Sequence, residues 1–266
     1  MWNTIIIHPF TNMLLYIYSL LVDIPGAFGW AIILFTVLIK VITWPLNAQQ
    51  LKGAQAMQEL QKDKEWQKIQ KKYKKDKEKL AKEQMRIYKE RGISPFSSCL
   101  PMLVQFPIII GLYQAIIRSL ASAPLGLLDL AQGLYSSLDA AALIPLNSRF
   151  FWMDLGLPEG IPLPFEISFL PNGLPTLALI VAVTTYIQSK LTMPVSGNPN
   201  DPSANMSRQM IMIMPFMLGY FALTFPSGLA VYFVTSNLLG IFQYAVTGRA
   251  NWKNLLPGGD KLVTTR

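Results

Sequence analysis

Thr36, Lys40, Thr43, Asn47 and Gln50 fall at i, i+4, i+7, i+11 and i+14. On a helix of about 3.6 residues per turn those positions share one narrow face. Lys40 is the sole charge in the apolar run Gly29 to Trp44, where Ile32, Leu34, Val41 and Ile42 supply the opposite, apolar side. A charge deep in a bilayer costs roughly 2.5 to 3.5 kcal/mol on insertion scales, so it faces water, a partner or a protein interior. The chemistry on offer is electrostatic: an ammonium in a wet place, able to attract an anionic group. A snorkelling lysine is the alternative, because Trp44 and Pro45 follow closely and a long side chain can bend toward headgroups. Snorkelling does not require threonines and amides to align with the lysine, which favours a polar cavity.

Bond-making chemistry has little to work with. Cys99 is the single cysteine and His8 the single histidine, so neither a disulfide nor a histidine metal cluster is available. The chain has no Gly-rich phosphate loop, no HExxH and no nucleophile elbow. We expect no enzyme, no metal site, no catalytic residue and no cofactor.

The elements that must hold Lys40 are membrane helices. Of 266 residues 52% are hydrophobic and 14% charged, and the apolar residues collect in long blocks. That profile predicts an all-α polytopic membrane protein, with spans of about 20 residues each. Five apolar cores qualify: Gly29 to Trp44, Leu100 to Ile117, Leu174 to Ile187, Ile211 to Phe225 and Leu229 to Val246. Ile5 to Val22 is also apolar, but His8, Pro9, Thr11 and Asn12 interrupt its start, which suits a helix lying in the interface. No Lys or Arg precedes Lys40, so the start does not read as a secretory signal or an Arg-rich transit peptide.

Charge orients these spans. Pro45 to Ser97 carries fourteen Lys or Arg against seven Asp or Glu, whereas Ser119 to Gly173 carries Arg149 alone against five acids. Positive loops stay cytoplasmic, which puts the N-terminus outside and the C-terminus in the cytoplasm. The expected organisation is an outer interfacial helix over 1–27, a first span over 28–50, a basic cytoplasmic hairpin over 51–97 and a second span over 98–118. An extracytoplasmic loop over 119–173 follows, then spans over 174–189, 209–226 and 227–247, a cytoplasmic loop over 190–208 and a basic tail over 248–266.

Gln58 to Arg91 lacks Gly and Pro and favours helix. Its apolar positions, Trp66, Ile69 and Tyr73, then Leu80, Ile87 and Tyr88, predict two amphipathic helices joined around Lys75 and Asp76 and ended by Gly92. The positive charge suits anionic lipids, ribosomal RNA or an acidic partner, or it only fixes topology; no element for reading a nucleic-acid sequence is evident. In the outer loop Phe150, Phe151 and Trp152 predict an interfacial anchor. Met206, Met210, Met212, Met214 and Met217 crowd the fourth span, suiting packing, lipid contact or an adaptable client surface.

Three stretches together resemble the YidC/Oxa/Alb family of membrane protein insertases. They are Lys40-Val-Ile-Thr-Trp-Pro-Leu46 running into Gln49, Gln50 and Ala56-Met57-Gln58; Ser94-Pro-Phe-Ser-Ser-Cys-Leu-Pro101 with Gln105, Pro107 and Leu112-Tyr113; and Phe225-Pro-Ser-Gly-Leu-Ala-Val-Tyr232 with Ser236-Asn237-Leu238 and Gln243. Their order covers the chain from Phe10 to Tyr244. The resemblance implies five transmembrane helices around a hydrophilic groove, open to cytoplasm and lipid, that accepts nascent membrane protein clients. Its implied setting is a bacterial cytoplasmic membrane, with the Sec translocon, the ribosome and anionic lipids as further partners. Where most relatives carry Arg in the groove this chain has Lys40, which keeps the charge and loses the planar guanidinium fork. Phe233 stands where the family often has Trp, so an indole donor is absent.

The residues predicted to line or serve the groove are Lys40, Thr36, Thr43, Gln105, Thr184, Gln188, Tyr232, Phe233 and Ser236. The polar ones need internal partners or water inside a membrane, and helix-to-helix hydrogen bonds would satisfy them as well as a cavity would. Two rival functions remain open at this point: a small-solute transporter or channel with Lys40 as its anion site, and a non-inserting chaperone for membrane assembly.

Overall fold

The computed structural model describes residues 2–73, 76–92, 100–120, 123–136, 138–139, 143, 146–162, 173–192 and 202–247. Ser94 to Cys99 and the basic tail with Arg249, Lys253, Lys261 and Arg266 lie outside the described residues. The chain is mainly helical and divides into two compact units. One comprises Met1–Ile42, Val104–Thr185 and Pro215–Leu239; the other comprises Thr43–Leu103, Tyr186–Met214 and Gly240–Arg266.

In the first unit a π-helical turn, Asn3–Ile7, leads into α1, His8–Ser19. This segment packs on α2, Ala27–Ile42, through edge-to-face pairs of Phe10 with Phe35 and Tyr18 with Phe28. The sequence assigned Ile32 to the apolar side opposite Thr36. They are one turn apart, so both lie on the buried face, beside Phe28, Ala31 and Phe35. Trp30, Leu34, Leu38 and Val41 form the exposed, wholly apolar face.

The segment expected as an extracytoplasmic loop holds more structure than its Pro- and Gly-rich composition suggests. Helix α7, Pro124–Gly133, is followed by a two-stranded ribbon of β1, Arg149–Phe150, and β2, Met153–Asp154. The strands pair antiparallel, Arg149 opposite Asp154 and Phe150 opposite Met153, around a turn that holds Phe151 at φ 50°. Phe151 and Trp152 are exposed, but Phe150 is buried. Its ring fills the notch left by Gly29, where a Cβ would sit 2.2 Å from Phe150 Cδ2. Phe150 is therefore a core residue, and the glycine is what admits it.

The stretch expected as one helix over 28–50 is divided between two helices. Helix α2 ends at Ile42, Thr43 forms a turn, and α3, Trp44–Lys62, begins with Pro45 in its first turn. Proline has no N–H for the preceding turn's carbonyl and its ring crowds that turn, which interrupts a helix but suits the start of a new one. Asn47 and Gln50 belong to α3, whereas Thr36 and Lys40 belong to α2.

The hairpin has a second break that composition concealed. Asp63 adopts extended geometry and caps α4, Lys64–Lys72, by accepting the Glu65 N–H at 2.7 Å. Asp76 caps α5, Lys77–Glu90, by accepting the Lys79 N–H at 3.1 Å, close to the predicted join. Gly92 at φ 64° follows the end of α5, a left-handed position that glycine tolerates. Arg91, at the end of α5, hydrogen-bonds Asp63 at the start of α4, so the two helices run antiparallel. Trp66, Leu80, Ile87 and Tyr88 are buried with Leu60, and Ile69 and Tyr73 pack against them, which is the apolar stripe read from the sequence.

The other helices are α6, Leu100–Ser119, α8, Thr176–Thr192, α9, Pro202–Thr224, and α10, Ser227–Val246. Among the described residues α10 is the one helix both long and apolar enough to cross a membrane by length and hydropathy, with Ala27–Ile42 and Gln209–Thr224 as shorter apolar helices. Each of α2, α6, α8, α9 and α10 nonetheless exposes large apolar side chains, among them Val41, Phe106, Val183, Phe216 and Phe242.

Candidate functional site

Two polar networks lie among the helices of the first unit. Tyr232 is fully buried on α10; its hydroxyl accepts a hydrogen bond from Gln105 Nε2 on α6 and is bonded to the Ser236 hydroxyl one turn further along α10. One turn separates positions 232 and 236, so a single face of α10 supplies both groups. Phe233 is buried beside Tyr232, with ring centroids 5.6 Å apart. The structure thus brings together Gln105, Tyr232 and Ser236, three of the residues predicted from the sequence.

The second network joins α10 to α8. Asn237 Nδ2 donates to the hydroxyls of Thr184, at 3.1 Å, and Thr185, at 2.8 Å. Thr184 in turn donates to the carbonyl of Ile180 at 2.7 Å. Asn237 and Thr185 are buried polar residues outside the predicted set. Their signal in the sequence was an amide directly after Ser236 and a second threonine directly after Thr184.

Thr36 spends its hydroxyl on its own helix, donating to the Ile32 carbonyl at 2.7 Å. Lys40 occupies the last turn of α2, half-buried and engaged by neighbours. That position places a cation where the helix C-terminal carbonyls favour one. Thr43 forms the turn after α2. Gln188 packs on Gly240: a Cβ there would approach Gln188 Nε2 to 2.5 Å, so the glycine gives the amide its room.

The N-terminus of α10 is docked on the stretch 154–157. The backbone N–H of Ser227 donates to the Leu157 carbonyl at 2.8 Å and that of Gly228 to the Leu155 carbonyl at 3.1 Å, while the Ser227 hydroxyl donates to the Asp154 carbonyl at 2.7 Å. These bonds satisfy N–H groups that a helix start leaves without intrahelical partners. They also give the Pro-Ser-Gly of the third motif a physical role: Pro226 precedes the helix, Ser227 ties its start to Asp154 and Leu157, and Gly228 allows close approach to Leu155.

A family model described as 60Kd inner membrane protein matches residues 20–254. The chain belongs to that family. Membrane protein insertase MisCA of Bacillus subtilis is 32% identical over 268 residues, covering 98% of this chain and 85% of the relative. Membrane protein insertase YidC of Syntrophobacter fumaroxidans is 33% identical over 243 residues, which is 91% of this chain and 37% of that protein. The chain thus spans little more than a third of that YidC relative and most of MisCA. Inner membrane protein ALBINO3 of Arabidopsis thaliana chloroplasts is 34% identical over 238 residues. Among solved structures an active YidC insertase, resolved with its first transmembrane domain, aligns with a TM-score of 0.54 and 27% identity, over 92% of this chain and 46% of that one.

Within this 60Kd inner membrane protein family the matched span takes in α2 to α10 and therefore both polar networks and Lys40.

Proposed function

We propose that this chain is a membrane protein insertase with five transmembrane helices, α2, α6, α8, α9 and α10, in a bacterial cytoplasmic membrane. The observation that carries the reading is the likeness to MisCA, an insertase by name, over nearly the whole of both chains. The exposed apolar faces of the same five helices support it, because side chains such as Val183 and Phe216 suit hydrocarbon and not water. Outer N-terminus and cytoplasmic hairpin follow from the positive charge of 51–97.

In this reading Lys40, Thr36, Thr43, Gln105, Thr184, Gln188, Tyr232, Phe233 and Ser236 form or support a hydrophilic groove. Lys40 attracts acidic residues in the short translocated end of a client, while Tyr232, Phe233 and Ser236, being buried, hold α10 in place. The client's apolar helix leaves into lipid, driven by burial worth about 25 cal/mol per Å². Membrane potential adds about 2.3 kcal/mol per charge per 100 mV. Neither nucleotide nor covalent intermediate is needed.

The test is insertion of a single-span client with an acidic outer end into liposomes containing only this protein. Wild type and Lys40→Arg should insert it and Lys40→Ala should fail. Equal insertion by Lys40→Glu would sink the role of the lysine; client binding with no insertion by wild type would favour an assembly chaperone. Client-independent solute flux would favour a transporter. Repeating the assay with the Sec translocon or with ribosome-bound clients shows whether those partners are required.

A further inference from the structure

We propose that the outer face of the first unit binds the headgroup of a phospholipid carrying a primary ammonium, a phosphoethanolamine. A cavity of about 370 Å³ is lined there by Asn3, His8, Arg118, Asp129, Gln132 and Gly133. The framework around it is fixed. Asn12 Nδ2 donates to the carbonyls of His8, at 2.8 Å, and Gly133, at 2.9 Å, and Asn12 Oδ1 accepts the Tyr135 N–H at 2.7 Å. The end of α7 is thereby clasped to α1, and the cavity lies beside the clasp.

Its lining complements a zwitterion. Arg118, in the last turn of α6, and Asp129, on α7, both face the cavity without forming an ion pair with each other. A guanidinium with the amides of Asn3 and Gln132 offers donors to a phosphodiester. His8 Nδ1 donates to the Gly133 carbonyl, an acceptor only, at 3.3 Å, which fixes the imidazole at the edge of the cavity. The Asp129 carboxylate receives the N–H groups of an ammonium.

The apolar half of a lipid is provided for as well. Leu125, Leu128, Asp129 and Gln132 fall at i, i+3, i+4 and i+7 and share one face of α7. Leu125 is 78% and Leu128 54% exposed, so the face passes from bare leucine to the polar cavity within two turns. Ile5 lies one turn before His8, and Ile117, beside Arg118, is exposed too. A free phosphate ester would make no use of these side chains. The proposal rests on α6 crossing the membrane, which brings Arg118 to headgroup depth.

The experiment is native mass spectrometry of the full-length protein offered equal amounts of phosphatidylethanolamine, phosphatidylcholine and phosphatidylglycerol, with client insertion measured on the same preparation. Wild type should retain phosphatidylethanolamine about tenfold over phosphatidylcholine, whose quaternary ammonium has no N–H to donate. Asp129→Asn should bring that ratio close to one, and Arg118→Gln should reduce retention of both lipids. Leu125→Ser with Leu128→Ser should weaken lipid retention but not binding of soluble glycerophosphoethanolamine. Equal retention of the two lipids by a wild type that still inserts its client would overturn the headgroup site and leave the insertase reading standing. Unchanged selectivity in Asp129→Asn would overturn it as well.

Discussion

Asn237 on α10 donates to Thr185 on α8 at 2.8 Å, and both side chains are buried. The bond joins two helices that also carry large exposed apolar side chains such as Val183 and Leu238, where packing alone gives little preference for one rotation over another. Interhelical hydrogen bonds in membranes are worth about 0.6 kcal/mol on average and up to about 1.7. Asn237→Leu should therefore lower stability by about 1 kcal/mol, and Thr185→Val by less, since Asn237 keeps Thr184. A double-mutant cycle on melting of the purified protein should show coupling between positions 237 and 185; full additivity would mean that the bond contributes nothing.

Gly29 and Phe150 make a prediction whose sign depends on background. Gly29→Ala puts a methyl group 2.2 Å from the Phe150 ring and should destabilise by about 1 to 3 kcal/mol, as overpacking does. Remove the ring first with Phe150→Ala, and the same Gly29→Ala change should be neutral or stabilising by up to about 1 kcal/mol, because alanine is the better helix former. Trp30, which meets Phe150 edge-to-face at 5.7 Å, supplies the fluorescence signal.

The contrast between the hairpin and this ring shows what a sequence carries. Trp66, Leu80 and Ile87 are readable because their partners lie within a few turns and periodicity alone predicts the buried face. Phe150 looks like a headgroup anchor beside Phe151 and Trp152; nothing local reveals that Gly29, 121 positions earlier by number, leaves a notch for it. Asp63 is hidden differently. A helix-favouring composition with no Gly or Pro masks a carboxylate that captures the N–H group two residues on and starts a new helix. In the candidate site the polar residues are legible by type, and Gln105, Tyr232 and Ser236 do meet. The partner of Thr184 is not, because any of several helices can supply it.

The Asp63 cap should give the hairpin a pH dependence. Its hydrogen bond from the Arg91 guanidinium, followed by that from the Glu65 N–H, holds its carboxyl below the usual carboxylate range. A depressed folded-state value stabilises above the unfolded value, about 3.9, and that stabilisation is lost as pH falls through the folded value. Asp76, held down chiefly by the Lys79 N–H, acts in the same direction. Circular dichroism melts from pH 7 down to pH 2 should show the loss, and Asp63→Ala should be less stable at pH 7 with a shallower acid dependence. A parallel pH profile for wild type and Asp63→Ala would remove the cap from the account.

Glu159 separates structural carboxylates from the groove charge. It is buried, accepting from Trp152 Nε1 at 2.9 Å and the Thr176 hydroxyl at 2.6 Å on Oε1, and from the Leu177 N–H at 2.9 Å on Oε2. The last two donors belong to the first turn of α8, so the carboxylate ties the stretch 152–159 to a helix N-terminus, the end that favours negative charge. All three partners donate, which makes glutamine a poor substitute in either orientation: its NH₂ must face at least one donor. Glu159→Gln should cost about 1 to 3 kcal/mol, the range for a buried polar group left without its bond. Trp152 fluorescence should report the loosened segment. Because the effect is on folding, insertion by Glu159→Gln should fall in proportion to folded protein and equally for acidic and neutral clients, whereas Lys40→Ala should discriminate between them. A Glu159→Gln protein that melts like wild type but loses only acidic clients would place the carboxylate in the client path instead.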